Sequence, residues 1–272
     1  MSTDNLIATD IRTVLEAAVP ATDRVTVVNP APETIVALVS TLEDHDSAPS
    51  VRLLSPEHAL KQVMGDFLVA SSAADLIDDG TLSLRVLDEQ PVNSLVVTDD
   101  AVVSLVTATD AAAGLTTDDG EFVASTVAFY DDVWETASEF SLRTPPLSRV
   151  RSTLAAEISE DARADFDAVL DSLSTARSDD GGIDEVTISL LVAARNRELL
   201  YDISKWGEDV GLASKATFSR TKTQLEDKGL LDTEKVPIDV GRPRLRLLLG
   251  EQRLQDADAD ELADVAIELL SS

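Results

Sequence analysis

Lys215, Ala216, Thr217, Ser219, Arg220, Lys222 and Thr223 bring cations, hydroxyls and one methyl-sized side chain together in a short stretch of the chain. Such a set suits contacts to phosphate oxygens and to the hydrogen-bonding edges of bases. No acidic residue falls between Leu212 and Leu225. A second group follows, with Arg242 between Gly241 and Pro243, and Arg244 and Arg246 alternating behind it. An arginine at the tip of a turn suits a phosphate or a narrow minor groove.

The elements that must position these residues are legible around them. Ile203, Trp206 and Val210 recur at the spacing of a short one-sided helix, which Gly211 stops. Ser214 is placed to cap a second helix, with Phe218 and Leu225 facing inward and the Lys215 to Thr223 set near its exposed amino half. Two short helices across a Gly-containing turn form a helix-turn-helix, whose second helix enters the major groove amino end first. Residues 230–236 and 244–249 read as strands joined by a turn at 237–243. That hairpin is the expected wing. The whole stretch from 202 to 250 therefore reads as a winged helix-turn-helix for double-stranded promoter DNA.

Catalytic signals are missing by comparison. The chain has no GxGxxG, no phosphate-binding GxxxxGK[ST] and no GxSxG. His58 and Lys61 stand one helical turn apart, but the His-x-Lys spacing of phospholipase D-like enzymes is not met and no second copy exists. With no cysteine and only His45 and His58, neither a disulfide nor a transition-metal site is expected. No cofactor is expected either. A hydrolase or transferase carrying a winged-helix appendage, and a winged-helix protein scaffold, are the alternatives to a DNA-binding regulator.

The formal charge of −29 is unusual for a DNA binder, but it is unevenly spread. From Ile183 to Arg253, 12 Lys plus Arg balance 12 Asp plus Glu. The acidity therefore lies elsewhere in the chain. Lys205, Lys215, Lys222, Lys228 and Lys235 fall in the balanced module, and Lys61 is the sole lysine outside it. An acidic surface, scarce lysine and few aromatics fit a protein of a salt-saturated cytoplasm. In molar salt the Debye length is ~3 Å, so a merely neutral reading face suffices. No apolar run is long enough to span a membrane, and no export leader opens the chain, so a cytoplasmic protein is expected.

Before the module, helices and strands alternate. Helices are expected at 5–18, 32–42, from Ser55-Pro56 to Val69, and at 121–140, with strands at 24–28, 51–54, 81–87, 94–98 and 101–106. This implies an α/β domain with a mostly parallel sheet and an edge hairpin turning at Asp99-Asp100. Ligand pockets of such sheets open at the carboxyl ends of strands, which points to Asn29, Ser55 and the 86–93 segment as the place for a small-molecule effector. The Pro145-Pro146 pair marks the boundary. The expected organisation is a sensor or interaction domain at 1–142, a helical linker at 143–182, the winged helix at 183–250, and an acidic helix at 251–272. The Leu262, Val265, Ala266 and Leu269 stripe of that last helix is expected to pair two copies in a homodimer.

Residues 199–211 (LLYDISKWGEDVG), 214–220 (SKATFSR) and 236–247 (VPIDVGRPRLRL) resemble the TbsP-type regulators of halophilic archaea. The amino-terminal half is similar in pattern to the phospholipase D-like sensor domains of archaeal regulators related to TrmB, without their catalytic histidines. The resemblance implies a sequence-specific transcription factor that acts with a TrmB-type sugar regulator on central carbon metabolism.

Overall fold

The computed structural model describes residues 5–19, 24–45, 49–88, 91, 93–175, 183–237 and 243–271, in two compact units, Met1–Leu142 and Arg143–Ser272. The first unit is α/β, as expected. Its elements are β1 (Leu6–Ala8), α1 (Ile11–Ala18), β2 (Arg24–Val28), α2 (Pro32–Glu43), β3 (Ser50–Ser55), α3 (Glu57–Val63), α4 (Phe67–Asp78), β4 (Leu82–Val86), β5 (Ser94–Val97), β6 (Val102–Ala108), β7 (Ala111–Thr117), α5 (Gly120–Thr136) and β8 (Ser138–Glu139). The strands form one sheet in the order β1-β7-β6-β5-β2-β3-β4-β8. Strands β2, β3 and β4 run parallel, and the flanking pairs are antiparallel.

The antiparallel part is wider than the single edge hairpin expected from sequence. Residues 6–8 are a strand rather than the first turn of a helix, because the Asp10 side chain accepts from the Thr13 amide at 2.9 Å and starts α1 later. The strand β7, rich in alanine and threonine, gave no alternating hydrophobic signal and was not expected. Ser55 does not cap α3. It is the last, fully buried residue of β3, and Pro56 precedes the helix. Nor does that helix run on to Val69: α3 ends at Val63 with Met64 as its cap, and Asp66 accepts from the Val69 amide at 3.1 Å to begin α4.

Two hydrophobic clusters lie on opposite faces of the sheet. The larger collects Val14, Leu15, Ile35, Leu38 and Leu60 from α1 to α3 against Val25, Val27, Val51 and Leu53. The smaller packs Val123, Tyr130 and Trp134 of α5 onto Val28, Leu54, Val97 and Val102. Thus α5 covers its face of the sheet alone among the described helices of this unit.

The second unit contains α6 (Leu147–Glu157), α7 (Glu160–Thr175), α8 (Glu185–Arg195), α9 (Leu200–Val210), α10 (Lys215–Asp227), β9 (Leu231–Val236), β10 (Arg244–Leu249), α11 (Gln252–Asp256), a short 3-10 turn (Ala259–Glu261) and α12 (Leu262–Ser271). Helix α8 is the buried centre, with every residue from Val186 to Ala194 buried. The described residues of the segments read from sequence as a linker and a separate helix, 143–175 and 251–271, belong to this same compact unit. Helices α6 and α7 pack on each other, and Trp206 of α9 donates its indole N–H to Thr153 Oγ1 of α6 at 2.9 Å. The stripe on α12 is not without a cover. Leu262, Ala263 and Ala266 are buried, and α12 packs on α7. A dimer contact therefore loses the support that the stripe had lent it.

Candidate nucleic-acid interface

The helix-turn-helix is built by α9 and α10. Gly211 has a φ of +96°, a left-handed conformation in which a side chain is strained, and it closes α9 so that the chain can turn. Ser214 then caps α10, its hydroxyl accepting from the Thr217 amide at 3.2 Å. The two helices cross closely at Gly207, where a Cβ would lie 2.3 Å from the Phe218 ring. Phe218 and Leu225 are buried as expected, which fixes the opposite side of α10 as the exposed one. The wing strands pair in register from Arg244 opposite Val236 to Leu249 opposite Leu231. A bridge between Leu199 and Arg246 ties the wing to the start of α9.

On α10, Lys215, Ala216, Ser219, Arg220 and Thr223 are exposed, and Thr217 is half-buried against Ser214. Arg220 has no ion-pair partner among the described residues. Lys222 departs from the expected set. It is 9 % exposed, and its ammonium lies 2.6 Å from Glu226 Oε2, on the flank of the helix that faces the unit. The reason is the helical repeat, which places residue 222 beside Phe218 and Leu225 rather than beside Arg220.

The wing arginines are also engaged. The Arg244 guanidinium stacks over the Tyr201 ring at 4.4 Å and reaches Asp202 Oδ1 at 3.2 Å. Arg246 pairs at 2.7 Å with Glu234, its neighbour across the hairpin. Arg242 lies outside the described residues. Between α9, α10 and the base of the wing is a groove of about 390 Å³, to which Tyr201, Ser204, Lys215, Ser219 and Arg244 contribute. Tyr201 and Ser204 were not singled out from sequence, because on α9 they read only as the polar side of a supporting helix. Lys215 itself is held by Glu208 of α9, at 2.7 Å. That bond raises the lysine and draws the Glu208 carboxyl below its ordinary range, the Lys215 backbone amide adding to the latter.

In the first unit, the expected strand-end location contains a pocket of about 380 Å³ formed by Val86, Leu87, Asp88 and Pro91 with Phe129, Tyr130 and Val133 of α5. Burial raises the Tyr130 phenol above its ordinary value. Asn29, at φ +47°, donates its side-chain N–H to Pro91 O at 2.8 Å and ties β2 to the pocket rim. Ser55 and Ser94 have buried hydroxyls without a hydrogen-bond partner among the described residues. His58 and Lys61 are exposed, Lys61 pairing with Glu57 at 2.8 Å. The described residues contain no group of three or more potential metal ligands, and no helix long and apolar enough to cross a membrane.

Two family models match, the TbsP-like amino-terminal domain over residues 3–145 and the TbsP-like carboxyl-terminal helix-turn-helix domain over residues 146–267. The chain belongs to the TbsP-like transcriptional regulators. Its carboxyl-terminal match is to the helix-turn-helix domain of these regulators, and the helix-turn-helix just described lies within the matched residues. Among solved structures, it is similar to TrmBL2, an archaeal chromatin protein described as showing a novel mode of DNA binding, with 14% identity and a TM-score of 0.36. That likeness covers 52% of this chain and 55% of TrmBL2, so the chain spans about half the length of that relative. A second similarity, to NucT from Helicobacter pylori, has 12% identity and a TM-score of 0.34 over 50% of this chain and 99% of that one. Likenesses this weak do not fix a function. No curated protein sequence matches the chain.

Proposed function

We propose that this TbsP-like regulator reads promoter sequence with the amino half of α10 and steadies the module with its wing. The observation that carries the reading is the outward row of Ala216, Ser219, Arg220 and Thr223 on a capped helix, with no acidic residue between Leu212 and Leu225. Small and hydroxyl side chains allow the helix to approach base edges closely, and an arginine without an ion-pair partner gives one strong bidentate donor for guanine. Of the cations first assigned to the interface, Lys215 and Arg244 reach phosphates only by exchanging carboxylate partners, and Lys222 supports the helix from behind.

The finer reading is of a cytoplasmic protein adapted to high salt that acts on sugar or central carbon metabolism genes, alongside a TrmB-type regulator. The acidic surface supports the salt adaptation, since the charge is concentrated outside the module that meets DNA. The first unit is the sensor: its apolar pocket at the carboxyl ends of the strands is where an effector would be enclosed. Two copies bind as a homodimer on paired half-sites. Chromatin immunoprecipitation across the genome, with and without sugar, tests the assignment. Enrichment at a shared motif upstream of sugar-metabolism genes is expected, and uniform coverage without a motif would overturn sequence-specific regulation.

A further inference from the structure

The antiparallel strands of the first unit depart from the pattern in which an open sheet face carries polar side chains. Their inner face is ordinary. Val103, Leu105 and Ala112 are buried in the larger cluster, and Gly114 leaves no space there, a Cβ standing 2.9 Å from Val103 Cγ1. On the other face, register aligns Leu54, Val28, Leu95, Ser104 and Leu115 in one row, and Val106, Ala113 and Ile7 in the next. Burial fades outward along the first row. Leu54 and Val28 lie fully buried in the cluster with α5, Leu95 and Ser104 are half-buried, and Leu115 is 47% exposed. In the second row Val106 is 45% and Ile7 75% exposed. Phe122 and Phe129, two turns apart on one flank of α5, are also exposed. Apart from Tyr201, every exposed large hydrophobic among the described residues lies on this face or on the helix that crosses it.

We propose that this face is where a second copy of the chain docks, sheet against sheet. The inference rests on the homodimer reading above and moves its contact from α12 to the first unit. The occupant follows from charge. No residue of β1, β5, β6 or β7 is ionisable, in a chain of formal charge −29. The carboxylates nearest in sequence among the described residues, Asp10, Asp99, Asp100, Asp110, Asp118 and Asp119, sit in the connections at the strand ends. Two such acidic chains repel over most of their surfaces, and an ion desolvated without a partner is costly. An uncharged apolar face meets its own copy about a twofold axis without confronting carboxylates. DNA is not a fit, since these four strands offer no cation and the guanidiniums further along that side of the sheet are engaged, Arg24 and Arg52 with Asp131 and Arg85 with the Trp134 carbonyl. Sheets packed in this way interdigitate their inner side chains, as Leu115, Val106 and Ile7 are placed to do.

The test is multi-angle light scattering of the full chain, without DNA, in molar potassium chloride at micromolar concentration. The wild type should run at twice the chain mass, and Val106→Glu/Leu115→Glu should run as a monomer, its dissociation midpoint raised at least about tenfold. Circular dichroism of both proteins checks the fold. Should the double variant not fold, single cysteines in this cysteine-free chain keep the question open to measurement. Leu115→Cys should be joined to its copy by a short bismaleimide, and Ala156→Cys, exposed on α6, should not. A dimer that survives the double substitution, or equal cross-linking from both positions, overturns this surface while leaving a dimer. A monomeric wild type overturns both. Operator binding measured on the same samples reports separately on the regulator reading, because it is scored on duplex affinity rather than on mass.

Discussion

The carboxylate of Glu208 in α9 grips Lys215 at the first turn of α10, its Oε2 lying 2.7 Å from the ammonium and its Oε1 3.3 Å from the backbone N–H. The anion at the head of the recognition helix is thus supplied by the protein itself, at a position where a helix amino end favours negative charge. A DNA phosphate approaching Lys215 has to displace it. Glu208→Gln removes the competing charge and should strengthen DNA binding about two- to fivefold, the range of an exposed ion pair. It should also steepen the dependence of log affinity on log salt by about one unit if one phosphate contact is gained. Fluorescence anisotropy titrations over a potassium chloride series measure both, and an unchanged slope would show that Lys215 does not meet a phosphate.

The same pair sets a pH dependence with a definite sign. The Glu208 carboxyl is lowered by its bond to Lys215. Its stabilising contribution is therefore complete above the unfolded carboxylate range, and is lost as pH falls through the lowered folded value. Binding by the wild type and by Glu208→Gln should then converge only in acid, and differ by a constant factor between pH 6 and 8. A difference that changes across the neutral range would assign the effect to another group.

Arg220 and Lys222 lie two positions apart and should behave oppositely. Arg220→Ala should cost ~1–3 kcal/mol of binding and relax specificity at one base position, with no change in melting temperature. Lys222→Met should do the reverse. It leaves Glu226 without its cation but still accepting from Thr233 Oγ1 at 2.9 Å, so about 1–3 kcal/mol of folding stability should be lost while base preference persists. Selection of bound sequences from a random pool, run beside thermal melts, separates the two. Loss of base preference in Lys222→Met would place that residue on the DNA after all.

Much of this interface could be read from the sequence because local signals carried it. Gly211, Ser214, Phe218 and Leu225 specify a turn, a cap and a buried stripe without reference to any distant residue. What escaped was set by tertiary partners. Lys222 read as a reading-face cation because its Glu226 is a helical neighbour that many exposed lysines also have, and burial alone distinguishes it. The Glu208 to Lys215 bond crosses a turn, where no periodic spacing announces a contact. In the first unit, Leu6 and Ile7 fit a helical pattern as well as a strand, and pairing with β7 decided the matter. The strand β7 was illegible because small residues leave little hydrophobic contrast between its two faces.

On the proposed reading, the wing arginines are divided between fold and DNA. Arg244 is committed to Tyr201 and Asp202, so Arg244→Ala should lower stability by about 0.5–1 kcal/mol and loosen the wing base, its part-exposed pair being discounted for solvent screening. Arg242 is expected from sequence at the wing tip and is proposed to meet a phosphate or a narrow minor groove, a contact that would carry little base information. Arg242→Ala should weaken specific and scrambled duplexes by similar factors and reduce the salt slope by about one unit. Thermal melts and paired duplex titrations of both variants test the division. A lowered melting temperature for Arg242→Ala with unaltered affinity and slope would make the tip structural.

The crossing of α9 and α10 depends on a missing side chain. A Cβ at Gly207 would meet two atoms of the Phe218 ring at 2.3 Å, and Phe218 is fully buried, so neither group has a free path away from the other. Gly207→Ala gains helix propensity of ~1 kcal/mol relative to glycine, which in an open helix would stabilise the protein. Overpacking works against it, at a typical cost of ~1–3 kcal/mol, and here the ring must shift or the helices must separate. The net expectation is a less stable unit whose recognition helix is displaced from its place beside α9. Phe218→Leu creates the opposite fault, a shortage of volume at the same point. Combined with Gly207→Ala it should recover part of the stability that either single change loses, because neighbouring substitutions that share one space are coupled. Denaturant melts of the two single variants and the double variant give that coupling directly. Additive losses would mean that Gly207 and Phe218 do not share the contact, and that the helix crossing is held elsewhere.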